Sequence, residues 1–355
     1  MDEKKKKQLA LQFLFFVVVM GLTFVFVFRD QNLDELKDAL QTMKLSAIFA
    51  AIMIAVFFVG AEGCMIYYLL RGIGGISSLS TCIKCSFIGF FFSGITPSAT
   101  GGQPMQLYYL RKAGNPWSLS SVVLMTVALV YKFVLVVFGV GIWIFWNGPL
   151  KNYLGMGYYR LFLLGLFLNT ALVAVLLMAM FTPSLIRFLA ARLEWVLVKL
   201  HILKKAGSTQ KRLNNFMDSY QDALRFLQQH KEKILVVFFA TVIQRTAVFA
   251  LTYVVYRGLG FQAVGLTTIM WLQASVYIAV DMLPIPGAQG ITEAMYKRIF
   301  LPLFTSRYLM TSLVITRGIS FYLMIVLSLI IFVISYVRGE FDLHKDANDG
   351  GRRKT

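Results

Sequence analysis

The sequence has little of what soluble enzymes use for chemistry. Only 3 of its 355 residues are histidine, and His201, His230 and His344 all lie in polar segments. It contains neither a phosphate-binding loop of the GxxxxGK[ST] type nor a dinucleotide-binding fingerprint. These absences exclude a histidine metal site within the apolar segments and argue against a reaction driven directly by ATP.

Cysteine is equally scarce, with 3 residues in all. Cys82 and Cys85 form a CxxC motif, but a single pair without further ligands is a weak indication of zinc or redox chemistry. Both, like Cys64, lie in apolar segments, where we expect buried structural thiols. The sequence therefore predicts no metal and no cofactor.

Charged residues are few as well, at 15%, whereas 58% of the residues are hydrophobic and the mean hydropathy is +0.69. Such a composition, in long uncharged runs, is typical of a chain folded in a bilayer. A helix needs about 20 apolar residues to cross the hydrocarbon. Six segments have that length: 9–28, 45–70, 117–146, 161–181, 234–256 and 309–337.

Two further apolar segments are interrupted by proline and glycine. One runs over residues 81–110 with its break at 96–104, and the other over 266–304 with its break at 283–290. Each half is short for a full crossing, so we interpret both as re-entrant helical hairpins whose irregular tips are buried in protein or face water. The alternative is a pair of ordinary kinked spans.

Acidic residues are outnumbered, with 17 Asp and Glu against 35 Lys and Arg, for a net charge of +18. Cytoplasmic loops of membrane proteins collect Lys and Arg. With a cytoplasmic N-terminus, 22 basic residues fall in cytoplasmic pieces, 9 in outer pieces and 4 within membrane segments. This topology accounts for the charge without nucleic acid, and the basic face suits anionic lipid.

The predicted fold is an all-α polytopic membrane protein with six transmembrane helices, two re-entrant hairpins and both termini in the cytoplasm. The order span, hairpin, span then occurs twice with opposite orientation, over residues 45–146 and 234–337. Inverted repeats with broken helices that meet near the midplane are a sequence indication of a transport site. Residues 1–341 form one membrane domain, and 342–355 a polar, disordered tail.

The segment 182–233 is the only sizeable polar insertion. Its apolar residues recur at helical spacing and its basic residues lie elsewhere, which predicts an amphipathic helix. Such a helix lies on the cytoplasmic leaflet or packs on the protein's own surface, and the pattern does not distinguish the two.

Seven ionisable residues lie inside apolar segments: Glu62, Lys84, Lys132, Arg245, Asp281, Glu293 and Arg317. A charge at mid-bilayer costs about 2.5 to 3.5 kcal/mol on insertion scales, so each should face a polar interior and have a partner. For Lys84 and Glu62 we expect pairing or snorkelling. Asp281 lies near the C-terminal end of a half-helix, where it needs a nearby cation, and Glu293 lies in a first turn, where it suits a cap.

The two hairpin tips supply the rest of the candidate site. In each tip the returning half-helix begins after glycines, Gly101-Gly102 in the first tip and Gly287 to Gly290 in the second. The N-termini of these half-helices would offer N–H groups and a positive dipole to an anion. Because Arg245 and Arg317 lie nearby, phosphate is the expected ligand. Asp281 and Glu293 would bind an amine or hydroxyl groups, or carry a proton. The predicted substrate-binding residues are Thr96, Ser98, Thr100, Gly101, Gly102, Gln103, Arg245, Asp281, Pro286, Gly287, Gln289, Gly290, Thr292, Glu293 and Arg317.

Three stretches, residues 92–106, 283–293 and 316–322, resemble the lysylphosphatidylglycerol synthase transmembrane, or flippase-like, family. The resemblance covers nearly the whole chain. In the bifunctional members this region translocates lipid and precedes a soluble aminoacyl-transferase domain, for which 355 residues leave no room. The resemblance therefore implies lipid translocation, without aminoacylation. Gln103 to Gln106 stand where many members have Glu and Arg, which leaves the headgroup open.

The leading hypothesis is a non-enzymatic flippase or scramblase for a phospholipid or a polyprenyl-phosphate-linked lipid in a bacterial cytoplasmic membrane. A second is an intramembrane transferase acting on a lipid-linked sugar or phosphate, with Asp281 or Glu293 as base. A third is a non-catalytic partner that recruits a lipid synthase through the face formed by residues 182–233.

Overall fold

The computed structural model describes residues 43–182, 210–288 and 290–341, together with Lys37 and Gln41. All regular structure in these residues is helical. Short 3₁₀ turns, Pro97–Ala99 and Pro286–Ala288, form the tips of the broken segments. A π-helical turn, Gly318–Leu323, joins the helices Ser306–Arg317 and Met324–Val337. The helices are α1 (Leu45–Gly72), α2 (Leu79–Ile95), α3 (Gly102–Lys112), α4 (Trp117–Phe145), α5 (Asn147–Phe181), α6 (Gln210–Gln229), α7 (Lys231–Gly258), α8 (Leu266–Val280), α9 (Ile291–Phe300), α10 (Ser306–Arg317) and α11 (Met324–Val337).

Five helical segments are long and apolar enough to cross a membrane: Leu45–Gly72, Trp117–Phe145, Asn147–Met180, Lys231–Gly258 and Tyr308–Val337. They match five of the six predicted spans. The first predicted span, 9–28, lies outside the described residues, as does the tail 342–355. Many large apolar side chains point outward, among them Leu45, Phe145 and Phe167, which suits a lipid surround.

The long helices α1 and α7 pack antiparallel along their whole lengths. At one end the N–H of Lys44 donates to the carbonyl of Gly258 (3.4 Å). At mid-length the Gln244 amide donates to the carbonyl of Phe58 (2.5 Å), and at the other end Lys233 lies 5.0 Å from the centre of the Tyr68 ring. Each of these helices opens one half of the chain, so the two halves meet head to tail.

The same two helices end alike. Arg71-Gly72-Ile73-Gly74 closes α1, and Arg257-Gly258-Leu259-Gly260 closes α7. In both, the second glycine has a positive φ, 86° and 90°, and its N–H donates to the carbonyl of the arginine three residues back. Glycine adopts this left-handed conformation at helix C-termini without steric cost. The repetition is visible in the sequence once the halves are aligned on these helices.

The first broken segment turns back on itself. The Cys85 thiol donates to the carbonyl of Gln106 (3.6 Å), which places the middle of α3 beside the middle of α2. Lys84, near the start of α2, and Tyr109, near the end of α3, both donate to Glu340. The segment therefore starts and finishes at the same end of the bundle.

The second broken segment does the same at the opposite end. Phe261 precedes α8, and Phe300 ends α9; both rings pack on Phe304, with centroid distances of 5.4 and 6.3 Å. The Arg298 guanidinium of α9 also lies beside Gly155 in the break of α5.

The two ends of the bundle sort the loops into sets. The residues near Lys44, Gly155, Phe261 and Phe304 lie together, and these are the pieces predicted to be outside. The loops at Ile76 and Asn115, bonded to each other (2.9 Å), lie at the other end. The charge pattern predicts the same two sets, while the re-entrant hairpins, the membrane boundaries and the inside-out orientation stay predictions.

The described apolar side chains of α6 pack on the protein itself. Tyr220, Leu224 and Leu227 are buried, and the Tyr220 hydroxyl lies 3.5 Å from the sulfur of Met125 on α4. Of the two placements that the amphipathic pattern allowed, this part of the insertion takes the one against the protein. The residues from 183 to 209 are outside the described part of the chain.

Candidate functional site

Three basic residues of the apolar segments lie away from the ends of the helical spans that contain them. Lys132 is in the middle of α4, Arg245 in the middle of α7, and Arg317 directly precedes the π turn that interrupts the span Tyr308–Val337. Single π turns inside helices occur often at functional sites. The tips of both broken segments reach the same level, because Gly94 and Gly287 both adjoin the ring of Phe321 in this turn.

Asp281 follows the last turn of α8 and is held by two side chains of α4. The Lys132 ammonium forms an ion pair with one carboxylate oxygen, and the Tyr131 hydroxyl donates to the other at 2.5 Å. Lys132 and Asp281 are 13% and 15% exposed. The sequence required a cation beside this carboxylate, because a helix C-terminus repels an anion. The structure confirms that requirement and identifies the cation as Lys132.

Glu293 and Arg317 form the second ion pair. The Arg317 Nε donates to a carboxylate oxygen of Glu293 at 3.1 Å, and its Nη2 donates to the carbonyl of Gly287 at 2.9 Å. The other Glu293 oxygen accepts the N–H of Gly290 at 2.5 Å. Glu293 is thus the helix cap that its position predicted. It also occupies the N-terminus of α9, where the sequence had suggested space for a substrate anion.

Arg245 is in a different situation from the other cations. Its side chain is 7% exposed, and its guanidinium lies 3.7 Å from the ring centre of Tyr131 and 4.6 Å from that of Phe58. Among the described residues it has no hydrogen-bond acceptor and no carboxylate in ion-pairing range, and its Nε is buried without a partner. The faces of aromatic rings compensate part of the desolvation cost of a buried cation, by about 2 kcal/mol or more. The remaining positive charge is available to an anion.

Glu62 lies one helical turn beyond Phe58 on α1. One of its carboxylate oxygens accepts the Gln106 amide of α3 at 2.7 Å. Within the described chain no cation comes within ion-pairing distance of it. Of the two residues for which pairing or snorkelling was expected, Lys84 has its partner in Glu340 at 2.6 Å, and Glu62 does not have one.

The two tips touch each other. The Ser98 hydroxyl of the first tip donates to the carbonyl of Leu283 in the second at 3.5 Å. Behind them, the rings of Phe58, Phe90 and Phe321 make edge contacts at centroid distances of 6.4 and 6.5 Å. The Arg317 guanidinium lies 4.8 Å from the ring centre of Phe321. A row of aromatic rings therefore connects the Arg245 and Arg317 positions.

Both tips hold strained backbone. In the described chain the residues other than glycine with positive φ are Ser98, Ala99 and Ala288, at 51°, 55° and 51°. Such conformations cost about 1 kcal/mol or more and persist where the surroundings enforce them, often at functional sites. The strain marks the tips as more than simple turns.

The hydroxyl groups predicted for substrate binding are mostly engaged within the tips. Thr96 donates to the carbonyl of Phe92 and accepts the N–H of Gly101, while Thr100 and Thr292 donate to Pro97 and Ala288. Gln103 is exposed, and Gly102 is packed closely against α2. Gln289 and the side chain of Pro286 lie outside the described residues. The tip side chains therefore shape the site more than they line it.

Sequence reasoning missed three neutral contributors: Phe58, Gln106 and Tyr131. Phe58 and Tyr131 enclose Arg245, and Gln106 binds Glu62. One signal was present, because Tyr131 directly precedes Lys132 and a buried tyrosine needs a partner for its hydroxyl. Nothing in the sequence distinguishes Phe58 from the many other phenylalanines in the apolar helices.

Comparison with known families agrees with this architecture. The model described as lysylphosphatidylglycerol synthase TM region matches residues 9–328 of the 355. No curated protein matches the chain.

Proposed function

Because the chain belongs to the lysylphosphatidylglycerol synthase TM region family of lipid-related membrane proteins, we propose that it moves a phosphate-bearing lipid between the leaflets of a bacterial cytoplasmic membrane. The observation that carries the proposal is Arg245, a buried cation at mid-helix that has no anionic partner among the described residues. A buried charge without a partner is expensive, so a protein that keeps one has a use for an anion there.

In this proposal the headgroup travels between the two tips while the acyl or prenyl chains remain in lipid. The phosphate pairs with Arg245, whose guanidinium offers several N–H donors in one plane. The six-span topology, with re-entrant hairpins and both termini cytoplasmic, belongs to the same proposal. It supplies one hairpin from each side of the membrane, and the tips meet where Ser98 contacts Leu283.

The two ion pairs have a different role from Arg245. Asp281 ties α8 to α4 through Lys132, and Arg317 ties the second tip to the π turn through Glu293 and Gly287. We assign them to holding the closed arrangement of the tips. Passage of a headgroup requires the tips to separate, and these contacts are the ones that must change.

This assignment favours a translocator over the intramembrane transferase. A general base must be able to accept a proton from its substrate. Asp281 and Glu293 each accept hydrogen bonds from a cation and from a further donor, so both oxygens of each carboxylate are already occupied by protein groups. The end of the bundle that holds the loops at Ile76 and Asn115 is the one predicted to be cytoplasmic and rich in Lys and Arg, which suits anionic lipid. Recruitment of a lipid synthase is compatible with translocation.

The test is a liposome assay with purified protein. Headgroup-labelled phosphatidylglycerol, phosphatidylethanolamine, an aminoacyl phospholipid and a polyprenyl phosphate are each incorporated, and exposure of the label to an impermeant quencher reports translocation. We expect transport of at least one of them and its loss in Arg245→Gln. Arg257→Gln, an exposed arginine on the same helix, is the matched control and should transport normally.

Mass spectrometry of the recovered lipids distinguishes the translocation hypothesis from the transferase hypothesis. An unchanged lipid on the opposite leaflet is the expected result. Absence of transport for all four lipids would overturn the proposal, and a covalently altered lipid would identify a transferase.

A further inference from the structure

Among the seven ionisable residues of the apolar segments, one carboxylate and one cation have no ion pair in the described chain. Lys84 pairs with Glu340, Lys132 with Asp281, and Arg317 with Glu293. Of the seven ionisable residues in the apolar segments, Glu62 and Arg245 are the two without an ion pair in the described chain. They lie on α1 and α7, the two helices that pack antiparallel at the centre of the molecule.

These two residues lie close in depth without touching. The Arg245 guanidinium stacks on the ring of Phe58. Glu62 follows Phe58 by four residues, so these two side chains lie on the same face of α1, about 6 Å apart along its axis. Burial disfavours the ionised form of Glu62, whereas the Gln106 amide and the nearby Arg245 charge favour it. No ion pair joins Glu62 and Arg245, so Glu62 can change its charge state, and Arg245 its partner, without breaking a direct bond between the two.

Few other charges act at Glu62. Gln106 of α3 donates its amide to the carboxylate, and the Cys85 thiol of α2 lies near it. On α4, Tyr131 and Lys132 both bind Asp281. The π turn packs against α1, and its Tyr322 lies near Arg317 and Glu293. Arg245 is thus the cation that favours the ionised form of Glu62 in the described chain.

We propose that Glu62 takes up a proton from water when a lipid phosphate binds to Arg245, and releases it when the phosphate leaves, so that lipid movement is coupled to a proton. The proposal rests on the proposed function and deepens it by naming how the same site is driven. The proton adds to a carboxylate oxygen of Glu62, and no other bond forms or breaks.

The coupling follows from electrostatics. Burial disfavours the Glu62 carboxylate, and in the empty site the positive charge of Arg245 opposes that effect. A bound phosphate cancels that charge and brings a second anion close, which disfavours the carboxylate and favours the neutral acid. By linkage the effect is reciprocal, so a protonated Glu62 strengthens phosphate binding. The loaded site is then neutral: one cation, one phosphodiester and one uncharged acid.

The other carboxylates do not fit this role. Asp281 and Glu293 have cations bonded to them, and Glu340 is bonded to Lys84. Protonation of any of these three carboxylates would break a direct ion pair. Glu62, held by a neutral amide, lacks that constraint.

The experiment measures proton uptake on binding by titration calorimetry of the detergent-solubilised protein. Dioctanoyl phosphatidylglycerol is titrated in two buffers of different ionisation enthalpy, since the difference in heat gives the number of protons taken up. We expect uptake of up to one proton per lipid in the wild type and none in Glu62→Gln. Affinity should rise as the pH falls, by at most about tenfold per pH unit for one proton.

The controls separate the parts of the inference. Glycerol phosphate tests whether a free phosphate ester suffices, and dioctanoylglycerol, which lacks the phosphate, should not bind. Glu340→Gln removes a carboxylate outside the site and should leave proton uptake unchanged. Arg245→Gln should weaken binding by roughly tenfold to a hundredfold, the range for one charge-assisted hydrogen bond.

Binding without proton uptake, or uptake that persists in Glu62→Gln, would overturn the coupling and leave lipid translocation standing. Binding and uptake without transport in liposomes would overturn the proposed function instead. Failure of both phosphate-bearing probes, dioctanoyl phosphatidylglycerol and glycerol phosphate, to bind the wild type would overturn the anion site itself and this inference with it. If Glu62→Gln proves unstable, the pH dependence of wild-type affinity decides, because affinity that is constant with pH excludes the coupling.

Discussion

At the scale of single residues, the Lys132–Asp281 pair shows how the protein tolerates charge among apolar helices. Both side chains are more than four-fifths buried, and Tyr131 satisfies the second carboxylate oxygen. Burial of a complete pair contributes little net stability, whereas removal of one partner exposes the full desolvation cost of the other. Stability should therefore depend on whether both charges are present or both absent.

We predict that Lys132→Met lowers stability by about 3 to 5 kcal/mol, because Asp281 is left buried and uncompensated. The double variant Lys132→Met with Asp281→Asn should recover most of the loss, since the amide can still accept the Tyr131 hydroxyl. Thermal unfolding in detergent measures both. Lys44→Met, at an exposed lysine, is the control and should change little. A double variant as unstable as the single one would contradict the assignment.

At the scale of elements, close helix contacts depend on two glycines. A Cβ at Gly63 of α1 would lie 2.5 Å from the Ile83 Cα of α2, and one at Gly165 of α5 would lie 2.2 Å from the Ile278 carbonyl of α8. Both clashes are with backbone, which cannot swing aside as a side chain does. Small residues at helix interfaces allow this proximity in membranes.

We predict that Gly63→Ala and Gly165→Ala each lower stability by about 1 to 3 kcal/mol through overpacking. Gly60→Ala on α1 and Gly141→Ala on α4 are matched controls, because a Cβ at either position meets nothing within 4 Å. These controls should be neutral or slightly stabilising, since alanine favours the helix over glycine by up to about 1 kcal/mol. Unfolding midpoints of the four variants give the comparison. Equal losses at all four positions would refute the role of close packing.

Glu340 joins three elements at one end of the bundle. It follows α11 and accepts hydrogen bonds from Lys84 of α2 (2.6 Å) and Tyr109 of α3 (2.5 Å). Burial alone would raise the pKa of this carboxyl, but the bonds from Lys84 and Tyr109 outweigh it and hold the pKa below its ordinary value. Because the pKa is lower in the folded chain, the ionised group stabilises the fold above the unfolded-state pKa, and that contribution is lost as the pH falls through the folded-state value.

We therefore predict that acid weakens the attachment of the first hairpin to α11. Thermal stability of the wild type should fall as the pH drops below the ordinary range of a glutamate pKa, and Glu340→Gln should reduce that part of the fall. Unfolding midpoints over an acid pH series measure it, with Asp222→Asn on the exposed side of α6 as the control. An unchanged acid dependence in Glu340→Gln would count against the contact.

The elements were more predictable than their contacts. Five spans, the two broken segments and the cap at Glu293 follow from hydropathy, from Pro and Gly, and from helix dipoles, all of which act over a few residues. The partner of Asp281 lies 149 residues away in the sequence, and the stacking of Arg245 on Phe58 joins different halves of the chain. Such contacts depend on tertiary packing, so the sequence showed that Asp281 needs a cation without showing which one.

At the scale of the whole molecule, the halves are built alike and meet head to tail. The helices α1 and α7 share their final Arg-Gly-x-Gly turn and run antiparallel, and each is followed by a broken segment. Each broken segment returns to the end from which it started, so the two tips approach the centre from opposite ends. In the re-entrant topology that we propose, this arrangement gives both faces of the membrane equivalent access to one central site.

This architecture predicts which single cysteines share a side of the membrane. In a cysteine-free background, Ile76→Cys precedes α2 and Pro116→Cys follows α3, so both should react on the same side with a membrane-impermeant maleimide. Gln262→Cys and Thr305→Cys, which flank the second broken segment, should react on the opposite side. All four positions are exposed. The charge pattern places the first pair in the cytoplasm, so intact cells should label the second pair alone and permeabilised cells all four. Kinked full spans would instead split each pair, because a segment that crosses the membrane leaves its flanks on different sides.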